Sequence, residues 1–287
     1  MLFKRICRFV YNEVVYNGHL QTWGVLAIVI LSGQLLNIKT SWDLLLIVYI
    51  LFYLIYLNDR YQGVDIDSLT NNERSQHVRK IHRYIPAILV IGLVALAVLL
   101  YAFSNVYALA FVTVIAVGGF LYPLYFKDFT KKVLAFKNFY VASVFSLMVV
   151  LPNLYYRILL NEKTVALILL LASFVFLRGT MMQFLLDLKD IESDKREGLL
   201  TLGIVLGKEK TFTLIAIMNV FTSLILPVSY FIFPSLLPAS ILFLALSAPL
   251  DIFFISLVKK GGSTGFILES GEFIYWAVLI YVGRLLI

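Results

Sequence analysis

The 287-residue chain is 61% hydrophobic and 14% charged, with a formal net charge of +7, whereas soluble domains carry about 25% charged residues. That balance excludes a water-soluble globular domain. The single cysteine, Cys7, excludes an intrachain disulfide and any cysteine-based zinc site. In so apolar a chain the positive charge is expected to orient loops at a membrane, not to bind nucleic acid.

The chain opens on a polar segment with Asn12, Glu13, Asn17 and His19, and no small-residue cleavage pattern marks a removable signal peptide. Apolar runs then follow at 22–38, 42–57, 84–102, 105–125, 138–154, 164–186, 211–230, 236–257 and 269–287. Each is close to the roughly 20 residues that cross about 30 Å of hydrocarbon, and each must be helical because lipid offers no partner to a free backbone group. No polar stretch is long enough for a soluble domain. The expected fold is therefore an all-α integral membrane protein, one domain over 1–287, with nine transmembrane helices around a central cavity.

Basic residues alternate along the chain. The N-terminus (Lys4, Arg5, Arg8) and the second, fourth, sixth and eighth loops hold 19 of the 24 lysines and arginines. The other loops hold only Lys39, Arg157 and Lys163. Positive loops stay in the cytoplasm, so the N-terminus and the even loops are expected inside. The second and sixth loops are long and rich in aspartate, which places the chemistry on the cytoplasmic side.

The second run leads into Asn58, Asp59, Gln62, Asp65 and Asp67. If the helix continues, Asn58, Gln62 and Asp65 share one face. Asp59 is adjacent, and Asp67 joins only if the helix breaks, for which Gly63 is the candidate. Oxygen donors of this kind suit magnesium; the alternative is a solvated loop ending a helix. The sixth run ends in Asp187, Asp190 and Asp194, within about 60° of one another on a helix at about 100° per residue. Like charges stacked on one face destabilise it, so a cation is expected there; pairing with Lys189, Lys195 and Arg196 in solvent is the alternative, though Lys189 points elsewhere on the wheel. Together the clusters have the makings of a site for two Mg2+ ions bridged by a diphosphate, with Lys and Arg neutralising the rest of its charge.

At these residues the chain resembles the UbiA superfamily of intramembrane prenyltransferases, over nearly its whole length. Asn58-Asp59, then Asp65-Ile66-Asp67 and Arg74, resemble that family's first aspartate-rich motif, with Gln62 where an aspartate is usual and one extra residue between the halves. Asp187, Asp190, Asp194, Lys195, Gly198 and Thr201-Leu202 are similar to the second. Tyr122-Pro123 with Lys127, Lys131 and Lys132 resembles a Tyr–Lys element of the fourth loop.

The resemblance implies magnesium-dependent transfer of a prenyl group from its diphosphate to a small aromatic or lipid-like acceptor, with the bilayer as solvent for the prenyl tail. Asn58, Asp65, Asp190 and Asp194 are the expected main ligands, with Asp59, Gln62, Asp67 and Asp187 beside them. Arg74, Lys127, Lys131 and Lys195 are expected on the diphosphate. Two alternatives stand beside transfer: a terpene cyclase of the same superfamily, and a transporter, which would need acidic residues along a path through the membrane. Arg178, inside the sixth run, must face a cavity or a partner such as Asp251. Asn17 and His19 are candidates for an acceptor pocket, against a plain interfacial role.

Overall fold

The computed structural model describes residues 2–287, with side chains from Ile6 onward. Lys4 and Arg5 of the N-terminal basic group lie outside the described side chains. All regular structure among the described residues is helical.

Helix α1 (Leu2–Tyr16) meets α2 (His19–Leu35) at 59°. Gly18 makes the corner at φ 93°, where L side chains are strained; a Cβ there would also sit 2.7 Å from that of Tyr56. Next, α3 (Trp42–Asp67) runs straight through Gly63, so the expected break is absent. The reason is α4 (Asn72–Ile81), which packs back on the end of α3. Val78 joins Leu57, Val64 and Ile85 in a small apolar cluster, and Ser75 Oγ donates to the Val64 carbonyl at 2.6 Å. This packing outweighs the roughly 1 kcal/mol of helix propensity that glycine gives up.

Helices α5 (Ile85–Phe103) and α6 (Val106–Leu121) leave apolar side chains such as Val90, Ile91, Val94, Val98 and Val114 exposed, as lipid-facing helices do. Asn105 caps α6, its Oδ1 accepting from the amides of Tyr107 and Ala108 at 2.9 and 3.2 Å. An irregular turn over 122–131 leads to α7 (Phe136–Leu147) and α8 (Leu151–Tyr156), and Asn161 caps the long α9 (Glu162–Asp187).

The sixth loop folds into α10 (Ile191–Glu197) and α11 (Leu202–Val205). After α12 (Lys208–Ile232), a 3₁₀ segment, Ala239–Leu246, continues into α13 (Ser247–Lys259). The last span is α14 (Ser263–Ser270) and α15 (Glu272–Leu286), bent by 56°. Among the described residues seven helices are long and apolar enough to cross a membrane, and nine if each bent pair is one span. The ninth run, expected at 269–287, straddles the break at Gly271.

Leu31, Leu44, Ile47, Leu51, Phe174 and Trp276 belong to the core shared by α2, α3, α9 and α15. Arg178 of α9 lies fully buried in this interior. Its Nε donates to Glu272 Oε1 at 2.8 Å, its Nη1 to Asn219 Oδ1 and Ser223 Oγ at 2.8 Å each, and its Nη2 to Asp251 and Glu272. The expected pairing with Asp251 is therefore joined by a second carboxylate, and one guanidinium ties together α9, α12, α13 and α15. Replacing Arg178 strands two buried carboxylates: Arg178→Leu is expected to destabilise the fold by about 3–5 kcal/mol, measured as thermal or denaturant unfolding in detergent.

Candidate functional site

The ends of α3, α4, α9 and α10, with the 122–137 segment and α1, enclose a cavity of about 580 Å3. Because α3 stays helical to its end, the residues it offers the cavity are Tyr56, Asp59, Arg60, Ile66 and Asp67, which share one face at about 100° per residue. Asn58, Gln62 and Asp65 lie on the opposite face and do not line it. Asn58 is buried, Gln62 is exposed, and Asp65 pairs with Arg79 on the surface at 2.8 Å. The structure thus brings Asp59 and Asp67 to the cavity, where the sequence pattern points to Asn58, Gln62 and Asp65.

From the other side come Asp187, Asp190 and Asp194, and all three line the cavity. They do so without the continuous helix expected. α9 stops at Asp187, the chain turns through Leu188–Asp190, and α10 begins at Ile191. The turn also brings Lys189 to the cavity, where an unbroken helix would have pointed it elsewhere.

Each of these three carboxylates has a donor. Lys137 Nζ lies 3.0 Å from Asp187 and 2.6 Å from Asp194. Asn138 Nδ2 donates to Asp187 at 2.7 Å, and Asp190 accepts from Asn71 Nδ2 at 2.6 Å and Thr70 Oγ1 at 3.0 Å. Arg74 pairs with Asp67 at 2.7 Å and Lys127 with Glu197 at 2.8 Å. Burial raises the Asp194 carboxyl above the ordinary carboxylate range, against the pull of Lys137.

Arg74 and Lys127 therefore stand where expected, at the cavity. Lys131 does not: it pairs with Asp128 at 2.7 Å on the exterior, and Lys195 is likewise exposed outside the lining. Asn17 and His19 are also away from the cavity. Asn17 donates to Glu13, and the His19 ring stacks on Tyr53, with centroids 4.6 Å apart. Lys137, Asn138, Thr70, Asn71 and Arg60 are the site residues that sequence reasoning missed. Lys137 had a signal, a lone lysine at the start of an apolar span; the others had none beyond their proximity to the motifs.

The donor set suits a hard divalent cation. No three acidic, histidine or cysteine side chains among the described residues are arranged to hold a metal by themselves. Magnesium commonly takes only one or two carboxylates and completes its shell with water and substrate phosphate, so a split aspartate set fits it. Two buried atoms at the site, Asn71 Oδ1 and Arg74 Nε, have no protein partner among the described residues. Beside Asp59 an apolar annexe of about 100 Å3 opens between α3, α6 and α7, lined by Phe52, Ile55, Gly119, Tyr140 and Val144 and sharing Tyr56, Tyr122 and Phe145 with the main cavity.

A model of the UbiA prenyltransferase family matches residues 20–263. No curated protein sequence matches the chain. Among solved structures, a UbiA homolog from Aeropyrum pernix K1 superposes with a TM-score of 0.69 at 15% identity, covering 94% of this chain and 98% of that one. A UbiA homolog from Archaeoglobus fulgidus bound to DMAPP and Mg2+ gives 0.64 at 13% identity, covering 94% and 99%. A structure from work on digeranylgeranylglyceryl phosphate synthase gives 0.57 at 18% identity, covering 96% and 97%.

The two faces of α3 can be told apart by titration calorimetry with Mg2+ and inorganic pyrophosphate. Asp59→Asn and Asp67→Asn are each expected to weaken binding by at least about tenfold, equivalent to about 1.4 kcal/mol, and Asp65→Asn to leave it unchanged.

Proposed function

We propose that this chain, which belongs to the UbiA prenyltransferase family, transfers a prenyl group from a prenyl diphosphate to an aromatic or quinone-precursor acceptor within the membrane, using magnesium. The observation that carries this is the convergence of Asp59 and Asp67 with Asp187, Asp190 and Asp194 on one cavity. The Archaeoglobus fulgidus homolog binds DMAPP or GPP together with Mg2+, which supports the same ligands here. The alternation of basic loops supports nine spans with a cytoplasmic N-terminus, and hence a site at the cytoplasmic end of the bundle.

Asp59, Asp67, Asp187, Asp190 and Asp194 would hold the metal. When bound, magnesium supplies positive charge to the oxygens of the leaving diphosphate. Arg74, Lys127 and Lys137 stand ready to complete that neutralisation, each already engaged with a carboxylate of the cavity or its rim. A diphosphate arriving between the clusters gives these cations a second anion to bind, and stabilisation is strongest where charge develops as the allylic C–O bond breaks.

The prenyl tail fits the apolar annexe, whose mouth carries Tyr56, Tyr122 and Phe145. Aromatic faces stabilise a developing allylic cation, and apolar walls keep out the water that would capture it.

The test is incubation of the purified, lipid-reconstituted protein with Mg2+, a panel of prenyl diphosphates and aromatic acceptors, followed by mass spectrometry of the lipid extract. Prenylated acceptor is expected. Asp190→Ala and Asp194→Ala should each lower turnover by at least about a hundredfold, roughly 2.7 kcal/mol of barrier, without loss of folded protein. A variant that keeps the wild-type rate removes that aspartate from the mechanism, and product formed with no acceptor present would indicate cyclisation.

A further inference from the structure

Helix α1 reads LFKRICRFVYNEVVY over 15 residues. Lys4, Arg5, Arg8, Asn12 and Glu13 are too many polar groups to lie in hydrocarbon. The 17 residues of α2 cover about 25 Å by themselves at 1.5 Å per residue, close to the roughly 30 Å of the apolar layer. The chain bends by 59° between the two helices, so α1 lies at the end of the bundle, inclined away from the axis of α2. α4, on which α1 packs, leads through 82–84 into the span α5, and this places both helices at the boundary of the apolar layer.

The two halves of α1 differ. The C-terminal half is engaged by the protein. Tyr11, Val15 and Tyr16 line the cavity, the Tyr16 hydroxyl donates to Glu73, and Glu13 Oε1 lies 3.1 Å from His77 Nε2 of α4. The N-terminal half is uncovered: Ile6, Phe9 and Val10 are 51%, 62% and 52% exposed. These three stand at i, i+3 and i+4, within about 100° of one another around the helix, and form one apolar stripe. Arg8 is exposed too and lies roughly 160° around the helix from Ile6. Lys4 and Arg5 precede it in the sequence, and no acidic residue occurs before Glu13.

We infer that this half of α1 docks on an anionic bilayer surface. Ile6, Phe9 and Val10 enter the boundary between headgroups and acyl chains, and the basic segment around Arg8 meets lipid phosphates. An apolar stripe backed by positive charge suits a helix lying in the interface plane, and each basic residue near a negative surface strengthens the attachment. A second copy of the chain fits the stripe less well, because two such segments would bring like charges together. The inference is independent of the proposed chemistry. It makes α1 a link between the leaflet, on its outer half, and the cavity wall, on its inner half.

Spin labelling of the full chain tests this. Cys7 is the single cysteine, so a Cys7→Ser background accepts one nitroxide through Val10→Cys, in the stripe, or through Arg8→Cys, on the other side. Both positions are exposed, and an unchanged unfolding temperature confirms that each labelled protein is folded. Depth is read from relaxation by oxygen against relaxation by a water-soluble nickel chelate. The protein is held in nanodiscs of phosphatidylcholine, alone or mixed with phosphatidylglycerol.

In the mixed discs the label at position 10 is expected to be relaxed by oxygen and shielded from nickel, and the label at position 8 to show the reverse. The shielded fraction at position 10 should fall in phosphatidylcholine alone. Adding Arg8→Gln to the Val10→Cys protein should lower the ratio of docked to undocked helix in the mixed discs by about fivefold, the contribution of one basic residue at a charged surface. Nickel access at both positions in the mixed discs overturns the inference, as does a shielded fraction indifferent to phosphatidylglycerol. Spin–spin broadening at position 10 that disappears on dilution with unlabelled protein would assign the stripe to a second copy and overturn it as well.

Discussion

Carboxylates held a few ångströms apart at the end of apolar helices repel one another, and water is too scarce there to screen them. The architecture of this protein depends on cations that hold such groups together. Lys137 does so between Asp187 and Asp194, and Arg74 does so at Asp67. Each ion pair is also a hinge between elements: Lys137 starts α7 while its partners end α9 and lie in α10, and Arg74 of α4 reaches back to the last residue of α3. The site is therefore assembled by charge, and in the proposed reaction the same lysine and arginine that organise it meet the diphosphate.

The interior uses a second ionic device for a different purpose. Arg178 lies nine residues before Asp187 on α9, yet neither it nor its partners Asp251 and Glu272 line the cavity. It fixes four helices in an environment where unpaired charge is prohibitive. Both devices sit near breaks in the helical ladder, one at 188–190 and the other at Gly271, where α15 restarts with Glu272. Helix ends free backbone groups and redirect side chains, so a broken span can aim several polar groups inward where a straight one offers a single stripe.

Much of this was legible in the amino-acid order. The apolar runs mark the spans because lipid permits no other conformation, and Asp187, Asp190 and Asp194 announce themselves as like charges crowded at one helix end. The face of α3 was not legible. Asn58, Gln62 and Asp65 form as good a polar stripe as Asp59 and Asp67, and the choice between them is made by α4, whose Val78 and Ser75 bind the back of α3 at Val64. Lys137 and Arg60 were hidden for a similar reason. A single basic residue beside an apolar run usually orients a loop, and only the packing of α7 on α9, or of α2 on α3, turns it toward the cavity. Lys131 and Lys195 illustrate the converse, lying in the right loops but pointing outward.

The central claim is that two aspartate clusters from opposite sides of the bundle grip divalent ions around one diphosphate. The direct measurement is an experimental structure with Mn2+ in place of Mg2+ and a prenyl thiolodiphosphate, with the ions located by anomalous scattering. The account predicts metal density bounded by Asp59 and Asp67 on one side and by Asp187, Asp190 and Asp194 on the other, with the diphosphate between them. Ions confined to one cluster, or bound on the outer face of α3 at Asn58, Gln62 and Asp65, would contradict it.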